Sequence, residues 1–161
     1  MRVRGKINAN INPRRVIFLK VKDIMTRSVA YINPDSTVTE AAQLMQKHNV
    51  GSIPVCDQSG VIGMVTDRDI VVRNVAHGTD PHKTPVKQVM TSQVTTVAPD
   101  MDLNQVSDIM SKNQIRRLPV VENNKLIGIV ALGDLATDGK YVMEASDTLT
   151  DISKPSKPEK M

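Results

Sequence analysis

The chain contains the same stretch twice. "VKDIMT" at Val21–Thr26 returns as "VKQVMT" at Val86–Thr91, 65 positions on. The shift holds without a gap: Pro34-Asp35 falls on Pro99-Asp100, Met45 on Met110, Pro54-Val55 on Pro119-Val120, Ile62-Gly63 on Ile127-Gly128 and Asp69 on Asp134. Similarity in one register over this length means that a structural unit was duplicated, so both copies must fold alike. The chain divides into a basic arm (1–20), a first repeat (21–78), a linker (79–85), a second repeat (86–138) and a polar tail (139–161).

Each copy has a legible local pattern. Thr37 and Glu40 form a capping box ahead of a helix whose Val38, Ala41, Ala42 and Met45 share one face. "SIPVCD" and "GVIGMVT" are apolar runs about the turn "DQSG", a hairpin signal. A helical pattern resumes at Asp67, with Ile70, Val71 and Val75 on one face, and Gly78 and Pro81 end it. In the second copy a helix runs from about Asp102 to Asn113, then "RLPVV", the turn "ENNK", "LIGIV" and a helix from about Leu132. The expected unit is an extended lead-in followed by α-β-β-α, so the fold class is α/β (α+β). A three-stranded sheet with two helices cannot cover itself at this size. Two copies packed through their sheets about a pseudo-twofold share a core and make one module.

Composition limits the alternatives. One cysteine, Cys56, excludes an intramolecular disulfide and suits a reducing cytoplasm. No apolar run approaches a membrane span and no secretory pattern is present. The net charge of +4 invites a nucleic-acid reading, but the excess sits in Arg2, Arg4, Lys6, Arg14, Arg15 and Lys20. Without those six of 21 basic residues, 15 face 17 acidic ones, which leaves the body at about −2 and without a nucleic-acid surface. The arm reads as a solvated tail or as a start placed upstream of the fold, and the Pro/Lys-rich C-terminus as a disordered tail.

"DIMT" at the head of the unit, an "hPV" strand and "GhhTxxD" at the next strand's end, in tandem over about residues 21–138, resemble a cystathionine-β-synthase (CBS) domain pair, the Bateman module. The wording "TDRDI", "IRRLPVV" and "GIVALGDL" is similar to small stand-alone bacterial CBS-pair proteins. The resemblance implies clefts between the repeats that bind AMP, ADP, ATP or a related adenosyl compound, a regulatory role, a flat homodimer and no required cofactor. It implies that Asp69 and Asp134 hold ribose hydroxyls, that Thr66 faces ribose or phosphate, and that the backbone of the segments Ile53-Pro54-Val55 and Leu118-Pro119-Val120 reads the base, with Ile53 and Val55 as apolar walls. Gly63 is expected to give the backbone room near a ligand or a neighbouring strand. Arg116 and Arg117, which stand where the first copy has Gly51 and Ser52, are placed to supply phosphate charge. Ala131 replaces the threonine in copy two, so one cleft is complete and the other lacks a hydroxyl.

Other readings use the same residues. Asp69 and Asp134 also suit helix caps, and Gly63 and Gly128 suit close packing. A ligand-free structural module that dimerises and docks a partner is the second function. The third is a metal-dependent phosphohydrolase using Asp67 and Asp69, against which copy two puts Leu132 at the position of Asp67. No P-loop, Ser-His-Asp set or zinc spacing appears, and His77 and His82 flank a linker with no cysteine ligand beside them. No catalytic or metal-binding residue is therefore assigned.

Overall fold

In the computed structural model the described residues are 19–137 and 141–154. The basic arm before Leu19 and the end of the tail lie outside them. The first repeat comprises helix α1 (Val21–Ile24), helix α2 (Val38–His48), strands β1 (Ser52–Asp57) and β2 (Gly60–Thr66), and helix α3 (Asp67–Arg73). The second has a 3₁₀ turn (Val86–Gln88) in place of α1, then α4 (Leu103–Asn113), β3 (Arg117–Glu122), β4 (Lys125–Ala131) and α5 (Leu132–Thr137). Helix α6 (Val142–Ile152) follows.

The capping box starts α2 as expected: Glu40 N–H donates to Thr37 Oγ1 at 3.2 Å, and Thr37 N–H to Glu40 Oε2 at 2.6 Å. Val38, Ala41 and Met45 are buried but Ala42 is exposed, so the inward face is narrower than the sequence pattern suggests. Asp102 caps α4 in the same way, its Oδ1 accepting from Asn104 N–H at 2.8 Å. In α3 no residue is buried: Ile70 is partly covered and Val71 is 57% exposed, and Val75, just beyond the helix, is 62% exposed. The apolar face expected there points outward. The helix stops at Arg73, and a 3₁₀ turn (Val75–His77) carries the chain to Gly78, whose φ of +65° favours glycine.

The sheets differ from the expectation of three strands. β1 and β2 form one antiparallel hairpin, and β3 and β4 form another. Single bridges extend each. Ile32 lies parallel to Val55 within the first repeat, and Val97 to Val120 within the second. The remaining bridges cross between repeats: Thr26 pairs with Ile129 and Thr91 with Met64. Val21 and Lys22 donate their N–H groups to Met101 O and Pro99 O at 3.0 and 2.9 Å, and Val86 and Lys87 donate theirs to Ser36 O and Pro34 O at 2.7 and 3.0 Å. Each of these contacts maps onto its counterpart under the 65-residue shift, which is the pseudo-twofold. Exposed ion pairs follow the same crossing, Lys22 to Asp100 at 2.6 Å and Lys87 to Asp35 at 2.7 Å.

The repeats therefore exchange their lead-ins, and the core is not shared but doubled. One cluster joins Val21 and Met25 to Leu103, Met110, Leu118 and Val130; the other joins Val86 and Val89 to Val38, Met45, Ile53 and Val65. Gly63 and Gly128 lie under the crossing segments. A Cβ on Gly128 would stand 2.9 Å from Thr26 O and 2.7 Å from Met25 Sδ; on Gly63 it would stand 3.2 Å from Thr91 O and run into Met90 Sδ. At Gly128 the close approach is to backbone, which cannot give way, so that position needs glycine; at Gly63 the closest atom is the end of the flexible Met90 side chain and the backbone oxygen is only tight.

Two expected connectors are structured. Residues in 79–85 pack onto the start of α2: Val38 N–H donates to Thr84 O at 2.9 Å, and the buried Asn74 donates Nδ2–H to Thr79 Oγ1 and Thr84 Oγ1 at 2.6 and 3.1 Å. The reading of the stretch from Ser146 onward as a disordered tail is corrected by α6 as far as Ile152; residues 155–161 lie outside the described ones. Tyr141, Ala145 and Thr148 are buried against α4 and α5, and Thr148 hydrogen-bonds Ser107 of α4. Polar side chains disguised this segment because its buried face includes a paired threonine.

Candidate functional site: two clefts related by the pseudo-twofold

Each candidate cleft begins where a hairpin ends and a helix starts. Thr66 closes β2 and caps α3. Its N–H and Oγ1–H donate to Asp69 Oδ2 at 2.9 and 2.8 Å, and Asp69 N–H returns to Thr66 Oγ1 at 3.0 Å. Asp69 Oδ1 lies 3.6 Å from Arg73, whose guanidinium also donates to Val89 O and Met90 O at 2.8 and 2.9 Å. Arg73 thereby ties α3 to the crossing segment of the other repeat. In the second copy Ala131 N–H donates to Asp134 Oδ2 at 2.7 Å, with no hydroxyl to complete the box. Both aspartates are helix caps, as the plainer reading held. Thr66 supplies bonds that Ala131 lacks.

Thr66 and Asp69 open onto a cleft of about 420 Å³. Thr91, Gln93, Val94 and Thr95 of the second lead-in form another wall; Asn113, Ile115, Arg116, Arg117 and Pro119 complete it with Ser52 and Met64. A second cleft of about 260 Å³ is built from the corresponding positions: Ala131 and Asp134, the lead-in residues Thr26, Ser28, Val29 and Ala30, His48 and Val50, and again Ser52 and Arg117. The pseudo-twofold relates the two, and residues 52 and 117 exchange roles across it.

Of the residues expected at a ligand, Thr66, Asp69, Arg116, Arg117 and Pro119 meet in the first cleft, and Arg117 and Asp134 in the second. Ile53, Val55, Leu118 and Val120 do not line either one. Their side chains are fully buried in the two cores, because β1 and β3 turn these alternate positions toward α2 and α4. Pro54 is buried and accepts from Ile32 N–H at 3.0 Å, and Gly63 faces Met90 and Thr91. Neither lines a cleft. The lead-in walls, Asn113, His48 and Ser52 carry no local motif. Only knowledge that the lead-ins cross would have placed them.

Electrostatically the first cleft sets two guanidiniums beside one carboxylate, and the second sets Arg117 beside Asp134. Among the described residues neither the Arg116 nor the Arg117 guanidinium makes a hydrogen bond or ion pair, although the Arg116 carbonyl accepts from Leu132 N–H at 2.9 Å. Ser52 is 8% exposed and its Oγ has no partner, a buried polar atom that ordinarily finds one. Asp67 does not line the first cleft; its Oδ1 accepts from Arg68 N–H at 2.7 Å. The two carboxylates of "DRD" thus separate, and no cluster of three or more His, Cys, Asp or Glu suited to a metal exists among the described residues. His82 Nδ1 lies 3.3 Å from Thr39 Oγ1. Burial, aided by Asp57, pushes the Cys56 thiol up and leaves it a packing residue.

Comparison with known proteins agrees with this architecture. The CBS domain family model matches residues 21–74 and 86–138. The CBS domain-containing protein YhcV of Bacillus subtilis is 50% identical over 133 residues, 83% of this chain and 94% of that protein. The crystal structure of Hypoxic Response Protein I with two coordinated zinc ions superposes with a TM-score of 0.69 at 33% identity, over 74% of this chain and 98% of that one. A CBS domain pair in complex with 5′-methylthioadenosine and S-adenosyl-L-methionine gives a TM-score of 0.67 at 29% identity, over 74% and 94%. With two matched domains, crossed lead-ins and hairpins related by one pseudo-twofold, the chain belongs to the CBS domain family as a tandem pair.

Proposed function

We propose that this regulatory module is a sensor that binds an adenine nucleotide or other adenosyl compound, chiefly in the cleft of Thr66 and Asp69. The observation that carries the reading is that cleft itself. Its volume falls in the range of small-molecule sites and the second cleft's falls below it. It joins a carboxylate, an acceptor-only group suited to vicinal hydroxyls, to two free guanidiniums suited to phosphate. Met64, Val94, Ile115 and Pro119 offer apolar surface for a base. A solved relative carries adenosyl ligands, which supports the same ligand class here. The protein is read as non-catalytic and in need of no cofactor. Among the described residues no helix is long and apolar enough to cross a membrane.

A thermal-shift screen tests the reading, since a ligand that binds only the native state raises the melting temperature by mass action. At least one of AMP, ADP, ATP and S-adenosylmethionine is expected to do so at millimolar concentration. Asp69→Ala should weaken that ligand about tenfold to a hundredfold, the worth of charge-assisted hydrogen bonds, and Asp134→Ala should have little effect at low ligand. No shift with any of the four would favour the second reading, a ligand-free module that docks a partner, for which the exposed Val71, Val72 and Val75 supply a surface. Phosphate release requiring Mg²⁺ would instead favour hydrolysis.

A further inference from the structure

We propose that the two clefts compete for one guanidinium, Arg117, so that a phosphate-bearing ligand in the first cleft suppresses anion binding in the second. This rests on reading the clefts as ligand sites, and adds a coupling between them.

Arg117 is one of two residues that line both clefts; the other is its pseudo-twofold mate, Ser52. Ser52 is neutral and has no charge to share. Arg117 leaves β3 beside Ala131, its register partner on β4 and itself a residue of the second cleft, and it borders the first cleft as well. Its guanidinium is exposed and not held by any described residue, so it is free to turn to either side. A planar fork binds one phosphate bidentately and cannot serve two at once.

The charges make the competition one-sided. With Arg117 engaged, the first cleft holds Arg116, Arg117 and Asp69. The second is left with Asp134 and His48 and no arginine, a setting that repels phosphate. The reverse transfer leaves Arg116 still facing Asp69, so the first cleft retains a cation. Coupling of this kind is reciprocal in free energy, and it requires a charge on the ligand. A nucleoside without phosphate has nothing to take Arg117 with and should fill the two clefts independently.

Calorimetric titration with AMP and with adenosine tests the proposal on three forms of the full chain: wild type, Thr95→Trp and Arg117→Met. Thr95 borders only the first cleft, and tryptophan there fills it. AMP should bind the second cleft of Thr95→Trp about tenfold to a hundredfold more tightly than the second AMP event on the wild type, the worth of the released charged contact. Adenosine should show no such difference. Arg117→Met, which does not depend on Thr95→Trp folding, should weaken the first AMP event by a similar factor and leave the second unchanged. Equal weakening of both events in Arg117→Met, or a second event on the wild type as tight as that on Thr95→Trp, would overturn the sharing while leaving both clefts as ligand sites. Absence of binding by AMP and adenosine alike to the wild type would overturn the ligand reading itself.

Discussion

Thr66 and Ala131 occupy equivalent strand ends and differ by a hydroxyl and a methyl. The hydroxyl serves the fold first: it accepts from Asp69 N–H and donates to Asp69 Oδ2, fixing the carboxylate before any ligand arrives. Thr66→Ala should therefore cost about 1 kcal/mol of stability, the usual worth of an N-cap side chain. Ala131→Thr should recover a similar amount by completing the second box. Urea unfolding of the two variants checks this; no loss in Thr66→Ala would mean that backbone capping by Asp69 suffices. The motif aspartates and Thr66 were legible through the resemblance of "GhhTxxD" to a known family, and Arg116 and Arg117 through their alignment with Gly51 and Ser52 of the other copy. The side chains of Ile53, Val55, Leu118 and Val120 turn into the cores rather than forming walls of a cleft, which was not legible because an apolar run does not reveal which of its faces is inward. The glycines had a clearer cause in the structure than in the sequence. Gly128→Val should lower the melting temperature sharply, since a Cβ there already meets backbone at 2.9 Å. A melting temperature within about a degree of wild type would refute the close crossing of Thr26.

Among the elements, α6 shows most clearly what residue patterns conceal. Tyr141, Ala145, Thr148 and Ile152 follow helical spacing, but one buried position is a threonine that Ser107 satisfies, so the stripe reads as polar. Tyr141 also accepts from Leu19 N–H at 3.1 Å, which joins the two ends of the described chain. Stopping the chain after residue 140 should expose Leu135, Ser107 and the neighbouring core. At roughly 1.5–3 kcal/mol for each large apolar side chain uncovered, the loss should be at least about 3 kcal/mol. Chemical denaturation would measure it. An unchanged midpoint would mean that α6 rests on the surface and contributes nothing. Hairpins and capped helices, in contrast, were legible almost to the residue, because turns and capping boxes are local. The crossing of the lead-ins was not, since a pairing between distant segments leaves no trace in either one.

Seen as a whole, the molecule is less symmetric than its duplication. Helix α6 covers α4 and α5, while the equivalent face of the first repeat, α2 and α3, has no such cover within the described chain. There Val71 and Val72 replace Ala136 and Thr137, and both are at least half exposed. We expect two copies to meet through this face in solution. Light scattering at micromolar concentration should give the mass of two chains, and Val71→Asp with Val75→Asp should return one. A wild-type monomer would assign that face to another partner.

The crossed lead-ins also bear on how such a chain arose. A single repeat built on this plan has an arm with no seat and a seat with no arm. A second copy of the same repeat supplies both, and two short chains would clasp each other with the contacts now seen between residues 21–26 and 97–102 and between 86–91 and 32–37. The tandem gene product is that clasped pair with one covalent link added. What the link gained was the freedom for the halves to diverge, so that a threonine, two arginines and a terminal helix are now carried on one side only.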